Sequence, residues 1–263
     1  MGRRTQPPAQ VNDIQGTQVK SISEGYGYNE RLFSGGPRSW FHLARFRWLN
    51  ETLNRLTPST PRESRVLEIG CFDGKAIDYL PAGHPTRYLG LDANWEGGLD
   101  LARKRWQGHP QFEFKEVHGL SDLRLDANDR FDLAISMETL EHIPEEQLDG
   151  YLALVARHLE GHFLITVPNE RGGLFLAKWL AKRALSKDGE RYSWREVMNA
   201  TLGRLDRVER DQHKGFDWKK FVRQVERHFE VLEISGHPMQ GLPAACCFSI
   251  GIVARTKTPR SSP

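Results

Sequence analysis

Short apolar runs alternate along the chain with stretches whose apolar residues recur every three or four positions. The first such stretch, 38–56, puts Trp40, Leu43, Phe46 and Leu49 at helical spacing. An apolar strand at 65–69 leads into a glycine-bounded turn and a short helix over 74–80 that Pro81 stops. The same alternation predicts strands at 88–91, 112–117, 131–136, 163–167, 229–234 and 246–253, with helical stretches at 95–106, 145–159 and 217–228. In 145–159, Leu148, Leu152, Val155 and Leu159 share one face. Strands separated by amphipathic helices imply an α/β fold, a mostly parallel sheet of seven strands with helices on both faces. The last two strands are joined only by 236–245, so the final strand is expected to run antiparallel.

The rhythm breaks at 169–216, a stretch too long for an ordinary loop, with helix-like pieces at 174–185 and around 194–205. It reads as a helical lid inserted into a single domain spanning 21–255. Residues 1–20 read as a flexible arm and 256–263 as a flexible tail, both polar. The 263 residues fit one such domain, and 38% hydrophobic with 27% charged residues supply a normal core. A net charge of +3, from 37 basic and 34 acidic residues, is too mild to argue for a nucleic-acid partner. Three cysteines, at 71, 246 and 247, form no even disulfide framework and point to a reducing compartment. The first sixteen residues lack a signal-peptide apolar core, and no long apolar run spans a bilayer, so a cytoplasmic location is expected.

The turn after the first strand reads Val66-Leu67-Glu68-Ile69-Gly70-Cys71-Phe72-Asp73-Gly74. Gly70 and Gly74 let backbone N–H groups approach a ligand at the carboxyl ends of the strands. The second strand ends in Asp92, where a carboxylate can accept from both ribose hydroxyls. A dinucleotide fingerprint would need glycine at 72 and 75, but Phe72 and Lys75 stand there, and Glu68 would repel a pyrophosphate. A sulfonium ligand with an amino-acid tail tolerates that acid.

With these motifs, 131–143 and 162–170, the chain resembles the class I S-adenosylmethionine-dependent methyltransferases, closely over 60–170 and more loosely over 213–254. The resemblance implies a Rossmann-like fold with S-adenosylmethionine as cofactor, its methionine part at Glu68, Gly70, Cys71 and Gly74 and its ribose at Asp92. Met137 at the fourth strand end and Leu120, packed on the adenine, complete the expected cofactor site. Two positions depart from the family: Phe72 replaces a glycine that many members carry, and 117–121 lacks the acid that many use on the adenine amine.

The fourth strand runs into Glu138-Thr139-Leu140-Glu141-His142. If that segment is helical, Glu138, Glu141 and His142 share a face. They suit a divalent metal, or His142 as a general base oriented by Glu141; a capping Glu beside a surface His is the bland alternative. The pattern is similar to ubiquinone-biosynthesis O-methyltransferases and to small-RNA 2′-O-methyltransferases. The latter resemblance implies Glu138, Glu141, His142 and His213 as ligands of Mg, Mn or Zn. The expected reaction is O-methylation of a small-molecule, lipid or glycan acceptor. RNA 2′-O-methylation and non-catalytic cofactor binding stand as alternatives. The helix at 174–185, apolar on one side and basic on the other, either packs as a lid or makes a peripheral membrane contact. Tyr26, Tyr28, Arg31, Phe33, Trp40 and His42, ahead of the first strand, are further candidates for covering the substrate.

Overall fold

The computed structural model describes residues 37–56, 64–80, 85–185, 192–211, 214–239 and 241–257, with backbone alone at 37, 38, 41, 182, 184 and 185. The expected arm at 1–20, His213 and most of the expected tail lie outside these residues, as do Tyr26, Tyr28, Arg31 and Phe33. Helix α1 (Pro37–Leu56) precedes strand β1 (Arg65–Ile69). Then come β2 (Arg87–Asp92), α2 (Gly98–Arg105), β3 (Phe112–Glu116), β4 (Phe131–Met137) and α3 (Glu145–His158). They are followed by β5 (Leu159–Pro168), α4 (Gly172–Leu185), α5 (Trp194–Thr201), α6 (Trp218–His228), β6 (Phe229–His237) and β7 (Ser249–Thr256).

The seven strands lie in the order β3-β2-β1-β4-β5-β7-β6. Strands β1 to β5 pair in parallel, and β7 inserts antiparallel between β5 and β6, as the short 236–245 link requires. Successive strand residues face opposite sides. Leu67, Leu89, Phe131 and Phe163 join one buried layer with α3 and α6, while Val66, Tyr88, Ile135 and Leu164 join the other with α1 and α2. Burial on both faces explains the continuous apolar runs. The chain order reverses between β1 and β4, and the crevice there, outside the carboxyl ends, is where open α/β sheets bind ligands.

Several elements differ from the pattern reading. The segment after Gly74 is a 3₁₀ turn, Lys75–Tyr79, and not an α-helix. Strand β5 starts at Leu159, directly after α3, because Glu160 stays exposed there and pairs with Arg65 and Arg130, an interaction that leaves no apolar signature. Strand β7 starts three residues later than expected, because a 3₁₀ turn, Ala244–Cys246, precedes it, and it runs on to Thr256. A fully buried run carries no alternation to set its phase.

Within 169–216, the stretch expected to be an inserted lid and called the cap below, α4 and α5 share a small core in which Phe175 and Trp179 pack against Val197, Ala200, Leu205 and Val208. Phe175 and Trp179 of the 174–185 stretch are thus buried within the cap, while Leu180 is exposed. Ser193 starts α5 with a reciprocal capping box with Glu196.

Helix α1 is tied to the sheet by Trp48, whose indole donates to Ser235 Oγ at 2.9 Å and stacks on His237. A methyl group at Gly251 would lie 2.4 Å from that indole, so the helix rests directly on β7 backbone. Trp48→Ala is expected to cost about 3–5 kcal/mol in chemical denaturation, the range of large-to-small core truncations.

Candidate active site

A cavity of about 720 Å³ opens at the reversal point between β1 and β4. Its wall includes Glu68, Gly70, Cys71, Asp92, Met137, Glu138 and His142 from the sequence-predicted set. Gly74, Leu120 and Glu141 are not in that wall.

The turn after β1 explains much of this arrangement. Gly70 has φ +76°, and a methyl group there would lie 2.0 Å from Thr139 Oγ1, so only glycine lets the end of β4 approach. Gly74 has φ +69°, and its open side faces Trp106, so it shapes the turn without touching the cavity. Phe72, the irregular position, adopts φ 47°. Its N–H donates to Asp92 Oδ2 at 3.0 Å, and its ring lies where a side chain at Gly98 would be. A residue other than glycine is thus held left-handed by one hydrogen bond and one packed ring. Asp92 also accepts from Asn94 N–H at 2.8 Å, so its carboxylate is fixed at the cavity edge.

Glu68 is buried and accepts a hydrogen bond from the Tyr88 hydroxyl. Burial raises its pKa to about 8, against a lowering by Tyr88, with Asp73 and Asp92 adding repulsion. Cys71 is buried, and its thiol is pushed up by that burial, so it is an inert wall residue. Leu120 packs over Gly150 of α3, while Val117 and His118 take the cavity wall expected for it.

At the end of β4 the expected helix is absent. Glu138 has φ 56°, and only Leu140–His142 forms a 3₁₀ turn, so Glu138, Glu141 and His142 do not share a helical face. Glu138 accepts from Ser249 Oγ of β7. Glu141 is buried, its backbone carbonyl accepting from Arg210 at 2.5 Å and its carboxyl lying 4.0 Å from His142 Nε2. Burial raises the pKa of both carboxyls, and Glu138 repels Glu141 further. His142 lines the cavity and its pKa is lowered by burial and by Arg210. Among the described residues no group of three His, Cys, Asp or Glu side chains converges as metal ligands would.

Sequence reasoning missed Arg45. It lines the cavity from α1, and its charge acts on Glu68, Glu138 and Glu141. Its Nε is buried with no hydrogen-bond partner among the described residues. The available signal was a cation one turn from Trp48 and Leu49 and two turns from Thr52, all buried, on the face α1 turns inward. His42 and Phe46 of the same helix also line the wall, while Trp40 is largely exposed and lies outside it.

The model of a methyltransferase domain matches residues 41–213, well over half of the chain. The chain belongs to this family. It is an S-adenosylmethionine-dependent methyltransferase, and the cavity fits that cofactor: small residues at the β1 turn, a fixed carboxylate at the β2 end and a buried acid beneath. The chain is 31% identical over 121 residues to the cyclopropane-fatty-acyl-phospholipid synthase of Escherichia coli K12; the match covers 45% of this chain and only 30% of that enzyme's length. Its fold is similar to the N-methyltransferase NodS of Bradyrhizobium japonicum in complex with S-adenosylhomocysteine, at TM-score 0.52 and 16% identity, covering 88% of this chain and 97% of that one. It is also similar to the 1,6-didemethyltoxoflavin-N1-methyltransferase of Burkholderia thailandensis, at TM-score 0.52 and 19% identity, covering 82% and 79%. At such identity the likeness to these two structures is one of fold.

Glu68 binds its proton more tightly folded, at about 8, than at the ordinary 4.5. The folded methyltransferase therefore loses stability as pH rises through that window, and none further above it. Glu68→Gln lacks this loss. Thermal melts without cofactor are expected to shift in favour of the variant as pH rises from about 5 to about 8.

Proposed function

We propose that this methyltransferase methylates a hydroxyl oxygen of a small-molecule, lipid or glycan acceptor, with His142 as general base. The observation that carries this reading is the His142 imidazole in the cavity wall beyond β4, kept neutral by burial and by Arg210. A neutral imidazole at that place can take the hydroxyl proton as the oxygen attacks. The cofactor, when bound, supplies an electrophilic methyl group on a sulfonium. Glu68 faces the cofactor's ammonium, whose charge draws the buried carboxyl toward its ionised form. Asp92 receives the ribose hydroxyls, Gly70 and Cys71 line the turn without bulk, and Met137 packs beside the methionine part. Arg45 holds the methionine carboxylate, which explains a buried guanidinium Nε without a hydrogen bond among the described residues. The sequence likeness to a cyclopropane-fatty-acyl-phospholipid synthase supports a lipid within the acceptor class.

A metal-assisted form of the same reaction is favoured by one observation, the repulsion between the buried Glu138 and Glu141 carboxyls, which a cation would relieve. His213 would complete that set. Chelation separates the two readings. Activity retained in EDTA supports His142 acting alone, whereas activity lost and restored by Mg, Mn or Zn replaces it with the metal reading.

Arg45→Gln is expected to weaken S-adenosylhomocysteine binding about tenfold in calorimetry and to leave 5′-methylthioadenosine, which lacks the amino-acid group, unchanged. Equal effects on both ligands would remove the carboxylate assignment. His142→Ala is expected to lower kcat by about two to four orders of magnitude with cofactor affinity unchanged. Because the neutral form acts, the acid limb of the pH profile should lie below the ordinary histidine value of about 6.5, and Arg210→Gln should move it upward. An acid limb that stays in place in both variants argues against His142.

A further inference from the structure

The cap presents an apolar stripe outward as well as a core inward. Val197 and Ala200 of α5 are buried, while Trp194, Met198 and Leu202, spaced four residues apart along the other side, are 64%, 55% and 60% exposed. Such spacing aligns three large side chains on one face. On α4, Leu180 is exposed as well. Monomeric surfaces carry scattered apolar residues, but an aligned stripe on a short amphipathic helix marks a contact.

The charge around the stripe narrows the occupant. The Arg183 guanidinium lies 5.8 Å from the centre of the Trp194 ring and 5.3 Å from that of Trp179. Arg195 is adjacent on α5, and Arg204 and Arg207 are exposed just beyond it. None of these four has an acidic partner in an ion pair among the described residues, whereas Glu196, the one acid of α5, is held by Lys214 at 2.8 Å. Among the described residues Asp206 and Glu209, the exposed acids after α5, leave the region basic on balance. An indole flanked by guanidinium, with Met and Leu one and two turns on, has the composition of a helix lying at a bilayer surface. Three or four side chains fall well short of the roughly 800 Å² per partner that a stable protein dimer buries.

The geometry points to this outer face of the cap, centred on Trp194, Met198 and Leu202 with Arg183 and Arg195 beside them, as a docking surface for an anionic lipid bilayer. The apolar side chains enter the headgroup boundary while the arginines meet lipid phosphates. The surface centres on α5, because Phe175 and Trp179 of α4 are buried against it. Arg210, which follows the cap, donates to the Glu141 carbonyl, so the docked element is joined to the reaction site.

The test is co-sedimentation of the full chain with vesicles of phosphatidylcholine alone or containing phosphatidylglycerol. Binding is expected only to the anionic vesicles, weakening as salt is raised. Trp194→Ser with Met198→Ser should reduce the bound fraction about tenfold, and Arg183→Gln with Arg195→Gln should remove the preference for anionic lipid. Unchanged binding of S-adenosylhomocysteine shows that each variant is folded, since none of these residues touches the cavity. The proposal is overturned if the chain stays in the supernatant, if the apolar variant pellets like the parent, or if ultracentrifugation shows self-association that this variant abolishes.

Discussion

Three strand ends meet at Gly70. Its left-handed backbone turns the chain out of β1, and the absence of a side chain leaves room for Thr139 at the end of β4. Its N–H, with that of Cys71, donates to the Leu91 carbonyl at the end of β2. The cavity exists because these ends can approach so closely, and its wall residues are those the approach brings in: Glu68 beneath, Asp92 to one side, Glu138 and His142 to the other. A Cβ at this position would strain the backbone and push β4 away at once.

The approach gathers like charges. Glu68, Glu138 and Glu141 are carboxyls without full access to water, and each takes an upward pKa shift from burial. The cation common to all three is Arg45, delivered by a helix that precedes the sheet in sequence. Tyr88 and Ser249 supply hydrogen bonds to two of the carboxyls from β2 and β7. Buried charge of one sign is tolerated where hydrogen bonds and a counter-charge are arranged beforehand, and such sites favour a cationic ligand.

The cap follows a different logic. Its helices stabilise each other through Phe175, Trp179, Val197 and Ala200, and polar links also join it to the sheet domain. Lys178 pairs with Glu170 at the end of β5, Arg171 with Asp217, and Arg210 reaches Glu141. An element joined in this way can differ in sequence without disturbing the sheet.

The strand and helix succession, the antiparallel last strand and the glycine turn after the first strand were legible in the chain, because each rests on local rules: alternation, glycine at a turn, an acid at a strand end. Strand phase failed where burial was complete at β7 and where the strand was half exposed at the start of β5, since neither carries a clean period. The resemblance placed Leu120 and Gly74 at the cofactor and spacing placed Glu141 with His142; in the fold Leu120 packs over Gly150, Gly74 faces Trp106 and Glu141 is buried 4.0 Å from His142. The helical spacing of Glu138, Glu141 and His142 gave way to a left-handed residue and a 3₁₀ turn, which no local pattern announced. Arg45 and the exposed stripe of α5 were visible only once helices distant in sequence had docked. The sequence by itself determined the sheet, its crevice and the cofactor class, because hydrogen bonding and burial along a strand are repeated locally. Tertiary structure alone decided which side chains reach the crevice and which face of the cap meets its surroundings, because those outcomes depend on distances between segments far apart in the chain.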